Sequence, residues 1–384
     1  MSPERTPHVA FFVPTMCGGG AERVIRNLAV DYHSRGFEVD LVLVHRTGPY
    51  LDGLPAGIRV VDLGGHRILA SLPSLVAYLR RSRPDTLLAT ITEANLVALW
   101  ATALARVSTR VVIRIANTPS KSLARMTGFS GVVVPHLLTY WYPKADHIVT
   151  VSAGVEEDLR ETFGIDGRLV TPIPNPKRIS HIQELASRPL AAAWLRTSEP
   201  IVLGVGRLVE QKDYPTLIRA FARLRADRPA RLVIVGEGPE RPVLESLVRS
   251  LGLDEHVWLP GFVENPFAYM AAAAVLALSS KWEGAPNVLV EAMACGTPVV
   301  ATDCPSGPAE ILADGAYGTL VPVGDVEGLC DGIAATLASR PPRDRLVARA
   351  EAFSIDRVVP AYDSVLFPDR EIATERRPSD PIDR

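Results

Sequence analysis

The chain has 384 residues, 47% of them hydrophobic, with 41 Lys+Arg against 43 Asp+Glu and a formal net charge of −2. That length suits two ordinary domains, the apolar content excludes global disorder, and the charge balance gives no ground for a nucleic-acid partner. Residues 1–180 hold 20 Lys+Arg and 15 Asp+Glu (+5), which leaves 21 and 28 (−7) for 181–384. This asymmetry is either ordinary fluctuation or a basic half turned toward an anionic partner.

No apolar run has the length needed to cross a bilayer. Met1-Ser-Pro-Glu-Arg leads directly into a short apolar strand, without the long apolar region of a signal peptide. Cys17, Cys295, Cys304 and Cys330 lack metal-ligand spacing and read as free thiols in a reducing cytosol. A cytoplasmic location is expected.

Short β-rich runs alternate with helix-length segments throughout. The first half predicts strands at His8–Pro14, Glu38–Val44, Arg59–Leu63, Asp85–Thr90, Arg110–Ile115 and His147–Val151. The second half predicts Ile201–Gly206, Arg231–Gly236, His256–Pro260, Val275–Ser279, Pro298–Thr302 and Thr319–Pro322. Most are continuous apolar runs, the pattern of strands buried on both faces of a parallel sheet. Thr171-Pro-Ile-Pro-Asn-Pro-Lys then places three prolines in five residues, so no regular element should continue there. The expected division is an N-terminal Rossmann-like domain over 1–175, a linker over 176–199, a C-terminal Rossmann-like domain over 200–352, a helix over 353–368 that packs back on the first domain, and a disordered tail over 369–384. The fold class is α/β, two such domains facing a central cleft.

The candidate chemistry lies at strand ends. Gly18-Gly19-Gly20-Ala-Glu22-Arg23 joins the first strand to a helix, where backbone amides and the helix dipole can meet an anion. A tight turn needs fewer glycines, which favours a ligand-facing loop. The spacing is not G-x-G-x-x-G, so an NAD-dependent oxidoreductase is disfavoured. Gly206-Arg207-Leu-Val-Glu-Gln211-Lys212-Asp213 follows the first strand of the second half. Its two cations suit a diphosphate, and Asp213 is a candidate helix cap. Gly236-Glu-Gly-Pro and Gly261-Phe-Val263-Glu-Asn265-Pro266 follow the next two strands.

Glu283-Gly-Ala-Pro286-Asn287-Val288-Leu-Val-Glu291 comes next, with Pro286 starting a helix that Gly296 ends. Glu283 then precedes the helix and Glu291 lies inside it, about 6 Å along the axis from Asn287. Free amides between the carboxylates can receive phosphate, and a carboxylate can grip a vicinal diol. Spacing alone leaves two surface glutamates as good a reading.

The run Glu283-(x7)-Glu291, followed by Ala-Met-Ala-Cys-Gly-Thr-Pro-Val-Val, resembles the signature of retaining family-4 glycosyltransferases of the GT-B fold. The other motifs above extend the resemblance over nearly the whole chain. It implies that Arg207 and Lys212 bind the donor diphosphate, that Glu283 contacts the transferred sugar and that Glu291 holds the ribose. It further implies phosphate or sugar contacts at Asn287 and Val288, a base contact at the Val263 backbone with Asn265 and Pro266 shaping that pocket, and Gly18–Gly20 beside phosphates and acceptor. No metal is expected. Many relatives carry a histidine after the fifth strand, where this chain has Asn117. Asn117 and Glu22 are the sugar- or acceptor-side candidates, and His136 is expected to pack near a helix.

The segment from Ser120 to Lys144 turns from basic to apolar to aromatic, ending Tyr140-Trp141-Tyr142. It is either a core edge or a face for a lipid-diphosphate acceptor at the cytoplasmic membrane surface. The expected function is transfer of a hexose or N-acetylhexosamine from a nucleotide-sugar, UDP-linked, to a glycan or lipid-linked acceptor in bacterial polysaccharide synthesis. A nucleotide-sugar epimerase and a non-catalytic binding module are the alternatives.

Overall fold

A computed structural model describes residues 6–124, 128–190, 193–195 and 197–370. Of the expected tail, residues 371–384 lie outside the described residues. The chain divides into two compact units, one built from the chain up to Lys177 together with the segment from Ile355 on, the other from Arg178–Ser354.

The first unit carries strands β1 (His8–Val13), β2 (Glu38–Leu43), β3 (Arg59–Asp62), β4 (Thr86–Thr90), β5 (Arg110–Ile115), β6 (His147–Thr150) and β7 (Val170–Pro172). They form one parallel sheet in the order β3-β2-β1-β4-β5-β6-β7. Its helices are α1 (Gly20–Ser34), α2 (Leu72–Ser82), α3 (Thr92–Ala105), α4 (Pro119–Leu123), α5 (Gly128–Trp141) and α6 (Ala153–Phe163). Six of the seven strands coincide with predicted runs. The exception, β7, occupies a stretch where the prolines predicted no regular element. It survives there because it is short and lies at the sheet edge. It pairs only with β6, so Pro172 removes no bond from a central ladder.

Beneath the sheet a polar knot replaces apolar packing. The fully buried Asp40 of β2 accepts hydrogen bonds from Arg59 and from the Tyr78 hydroxyl, and His8 Nε2 lies 2.9 Å from its Oδ2. Glu38 completes a group within metal-ligand reach of His8 and Asp40, but the Arg59 guanidinium already occupies Asp40. Burial pushes the Asp40 carboxyl up, and the adjacent His8 ring with the hydrogen bonds from Arg59 and Tyr78 outweighs it and holds it at about 2. A carboxyl held below its unfolded value of about 3.9 stabilises the fold above that pH, and loses this as pH falls toward its folded value. The expected contribution is about 2 kcal/mol at neutral pH. Asp40→Asn should therefore lower the melting temperature at neutral pH, and the gap to the parent should close on acidification between about pH 4 and about pH 2. A gap that stays constant over that range would refute the assignment.

The second unit carries α7 (Ile179–Ala186), in the segment expected to be linker, then β8 (Ile201–Val205), α8 (Tyr214–Asp227), β9 (Arg231–Val235), α9 (Arg241–Ser250), β10 (Val257–Gly261) and α10 (Pro266–Ala272). There follow β11 (Val275–Leu278), α11 (Asn287–Ala294), β12 (Val299–Thr302), α12 (Pro308–Leu312), β13 (Thr319–Val321), α13 (Val326–Ala338) and α14 (Arg343–Glu351). Its parallel sheet runs β10-β9-β8-β11-β12-β13. The apolar residues of α7, Ile179 and Ile182, join the core beneath β8, β9 and β11.

In both sheets the strand order reverses once, between β1 and β4 and between β8 and β11. Ligands of open parallel sheets bind at such switch points, beyond the strands' carboxyl ends. The Gly18–Gly20 loop follows β1. The Gly206–Asp213 and Ser279–Pro286 loops follow β8 and β11.

The returning segment is α15 (Ile355–Leu366). Its Val358, Val359, Tyr362, Val365 and Leu366 enter the core of the first unit beside Phe11, Leu28, Tyr32 and Leu41. Polar contacts fix its pose. Asp363 accepts from Tyr32 at 2.8 Å and from both Arg35 terminal nitrogens, while Thr86 Oγ1 donates to the Leu366 carbonyl at 2.6 Å. Arg114 of β5, 1% exposed, donates to Asn175, to Thr90 Oγ1 at 3.2 Å and to the Tyr362 hydroxyl at 3.3 Å. None of these three partners is a carboxylate. The two places where the chain changes unit meet directly, as Ile355 N donates to the Lys177 carbonyl at 2.8 Å.

Candidate active site

In the second unit, the loop after β8 and the loop after β11 are sewn together. Lys212 Nζ donates to Glu283 Oε1 at 2.6 Å, across 71 positions of sequence. Gln211 Nε2 donates to the Trp282 carbonyl at 2.9 Å, Lys281 N to the Gln211 carbonyl at 2.8 Å, and Ser279 Oγ to the Lys212 carbonyl at 2.8 Å. Two of the three residues expected to be catalytic are thus in direct contact. Glu283 is 5% exposed. The third, Arg207, is exposed and in the same loop, with no ion pair among the described residues. One cation is held and one is available.

The loop after β9 adds a wall. A Cβ on Gly236, at φ 144°, would collide with the Gly206 carbonyl oxygen, so position 236 must stay glycine for the loops to approach this closely. Gly236 N donates to the Gly261 carbonyl at 2.9 Å, which links the loops after β9 and β10. The loop after β12 closes against the opposite side, since Gly307 packs on Ala285 and Pro286. Asp213 and Ser306 take left-handed backbone at φ 46° and 69°, a conformation non-glycine residues adopt at a cost and often near functional sites. Asp213 is the residue before α8, but its carboxylate accepts from the Thr216 hydroxyl at 2.8 Å, not from a helix amide.

The predicted helix is present, beginning one residue later than expected, since Pro286 precedes α11 and Asn287 begins it. Asn287 and Val288 are half-buried at the helix start, and Glu291 is buried at 2% exposure one turn in. Val263 is half-buried in the loop before α10. Asn265, expected to shape the base pocket, holds the start of α10: its oxygen caps the helix through Phe267 N and Ala268 N, and its nitrogen donates to the Leu185 carbonyl at 2.8 Å. Sequence reasoning missed Ser280 and Thr302. The available signal was a serine three residues before Glu283, directly after a strand.

The charges are legible in neighbouring thiols. Burial, then the Glu283 carboxylate, pushes the Cys304 thiol up to about 12, and burial, then Glu291, does the same to Cys295. Neither is a thiolate nucleophile at neutral pH. All four cysteines are free.

In the first unit, Gly19 precedes α1, Gly20 begins it, and the Glu22 side chain folds against Gly19. The loop is braced from the side. Arg23 Nε donates to the Tyr50 hydroxyl at 2.8 Å, and that hydroxyl donates to the Gly18 carbonyl at 3.3 Å. Asn117 is exposed just beyond β5. His136, expected to pack near a helix, is instead exposed on α5. The helix puts it outward because Leu138 and the following Tyr142 take the buried positions. The aromatic run divides likewise: Tyr142 is core, Tyr140 is 62% exposed beneath Lys144, and Trp141 meets Trp100 edge-on. No helix among the described residues is long and apolar enough to cross a membrane.

Comparison with known proteins agrees with this layout. The family model described as glycosyl transferases group 1 matches residues 191–353, and that of the glycosyl transferase 4-like domain matches residues 19–176. The chain is 32% identical over 379 residues to N-acetylgalactosamine-N,N'-diacetylbacillosaminyl-diphospho-undecaprenol 4-alpha-N-acetylgalactosaminyltransferase of Campylobacter jejuni, a match covering 94% of this chain and 98% of that protein. It is 36% identical over 168 residues to the lipopolysaccharide core biosynthesis glycosyltransferase LpsE of Rhizobium meliloti, covering 42% of this chain and 48% of that one. Among solved structures, sucrose-phosphate synthase of Thermosynechococcus elongatus superposes with a TM-score of 0.78 at 22% identity, over 94% of this chain and 98% of the other. HepE of Anabaena in complex with UDP-glucose gives 0.76 at 22%, over 93% and 97%. At those identities the structures establish the GT-B fold. With the Campylobacter likeness running nearly end to end and a family model matched in each half, the chain belongs to the group 1, family-4-type glycosyltransferases.

Proposed function

We propose that this glycosyltransferase moves a hexosyl or N-acetylhexosaminyl group, with retention, from a UDP-sugar to a lipid-diphosphate-linked or glycan acceptor. The observation that carries the reading is the Lys212–Glu283 pair at the sheet's switch point, with Arg207 exposed beside it. Arg207 and Lys212 take the donor diphosphate. Glu283 meets the transferred sugar, Glu291 the ribose hydroxyls, and the amides at the start of α11 a phosphate or sugar oxygen. The Val263 backbone reads the base.

As the bond from C1 of the sugar to the diphosphate oxygen breaks, negative charge grows on the leaving group. Two cations beside the leaving group oppose that charge, and electrostatic stabilisation of this kind is the largest usual source of rate enhancement. The acceptor oxygen bonds C1 on the face the diphosphate leaves, and the acceptor's proton passes to the departing phosphate oxygen. The cations serve where a divalent metal otherwise would. The lipid-linked acceptor draws support from the diphospho-undecaprenol in the Campylobacter relative's name.

A UDP-release screen tests the reading, with several UDP-sugars offered to lipid-diphosphate and polysaccharide acceptors in the presence of EDTA. Release is expected with at least one pair. UDP alone at about 100 times its Kd should add about 2.7 kcal/mol of stability, visible as a melting shift of several degrees, and Glu291→Ala should abolish most of that shift. No UDP release from any donor, together with no thermal shift, would sink the proposal.

A further inference from the structure

Glu283 is held from two sides by unlike donors. Its Oε1 accepts from Lys212 Nζ and from Ser280 Oγ, both at 2.6 Å. Lys212 is a long, flexible side chain, 17% exposed, and the proposed function gives its ammonium a second partner in the donor diphosphate. Ser280 is the opposite kind of anchor. It has no solvent exposure, and its carbonyl accepts from Thr302 Oγ1 at 2.6 Å, with Thr302 equally buried. Ser279 and Lys281, its neighbours on either side, are bonded to the backbone of Lys212 and Gln211. A serine on such a backbone has one rotatable torsion and no room to follow a moving partner. It defines where Oε1 sits.

We propose that Ser280 is the positioning residue of the donor-sugar site. When the diphosphate draws Lys212, the Ser280 hydroxyl keeps the Glu283 carboxylate in the place from which it addresses the sugar. The proposal rests on the reading that Glu283 meets the transferred sugar. Without the hydroxyl, the carboxylate follows the ammonium toward the phosphate. Binding of the nucleotide survives, and alignment at the reacting centre does not. Small misplacements of this kind act on the chemical step.

The test is a parallel set of Ser280→Ala, Ser280→Thr, Thr302→Val and Glu283→Ala, each measured for kcat, donor KM, UDP Kd and melting temperature. Ser280→Ala should lower kcat roughly tenfold, the effect of one lost hydrogen bond to a charged group, while donor KM and UDP Kd stay within about twofold. Ser280→Thr, which keeps the hydroxyl, should recover most of kcat. Thr302→Val, which only frees the Ser280 carbonyl, should lose less than Ser280→Ala in the same direction, and it decides the matter if the threonine methyl prevents folding. Unchanged kcat in both Ser280→Ala and Thr302→Val, with Glu283→Ala inactive, overturns the role of Ser280 and leaves the site reading standing. UDP affinity lost in step with kcat would make Ser280 merely structural. Parental activity in Glu283→Ala would overturn the sugar contact itself, and the proposal with it.

Discussion

Lys212→Ala should lower kcat by about two to three orders of magnitude, the range seen when one preorganised stabiliser of transition-state charge is removed. UDP affinity should fall as well, for a reason beyond the lost attraction. The substitution removes the ammonium partner of the nearly buried Glu283 carboxylate next to the diphosphate position. A carboxylate in that setting repels the ligand, and breaking one side of a buried pair costs more than the pair contributes. The double variant Lys212→Ala/Glu283→Gln should therefore bind UDP more tightly than Lys212→Ala alone, while remaining as slow. Isothermal titration with UDP and saturating-donor kinetics on the four proteins of this cycle would check it. A loss in kcat below about fivefold, or additive binding effects, would show that the pair does not act on the donor.

Arg114→Ala should destabilise the first unit by about 3 kcal/mol or more. Two costs combine. A fully buried side chain of this size leaves a cavity, and Thr90, Asn175 and Tyr362 each lose a donor inside the core. Arg114→Met separates the two, since it fills the space and leaves the oxygens unsatisfied. Its expected loss is smaller but still measurable. Calorimetry is the suitable readout, because two units need not melt together. The transition that UDP stabilises should stay in place while the other falls. Equal stability of parent and Arg114→Ala would mean that the three oxygens find water instead.

The strands were readable because doubly covered parallel strands are apolar at most positions, and β1, five of whose six buried residues are hydrophobic, is typical. Register and pairing across the sequence were less readable. Lys212 and Glu283 stand in separate motifs, and only folding shows that each is the other's partner. Asp40 and Arg114 look in sequence like the charged ends of strands such as Arg59 and Arg110. Nothing local marks the first pair as buried, because their partners come from α2, the segment before Lys177, and α15. Asn265 was legible in part: an asparagine directly before Pro266 is a favoured cap for α10, but its bond to the Leu185 carbonyl joins it to a distant segment that nothing local announces.

The first unit is interrupted in sequence, with Arg178–Ser354 inserted before α15. Ribosomal synthesis therefore delivers the units out of order. The inserted unit is contiguous and can complete its core as soon as Ser354 clears the exit tunnel. The unit begun first must wait for the last strip of its interior, Val358 to Phe367, with Phe11, Leu28 and Leu41 uncovered in the meantime. At about 5–20 residues per second, that wait lasts on the order of ten seconds or more. A released chain truncated after Ser354 should thus engage apolar-binding chaperones through its older half, although the younger half is already folded.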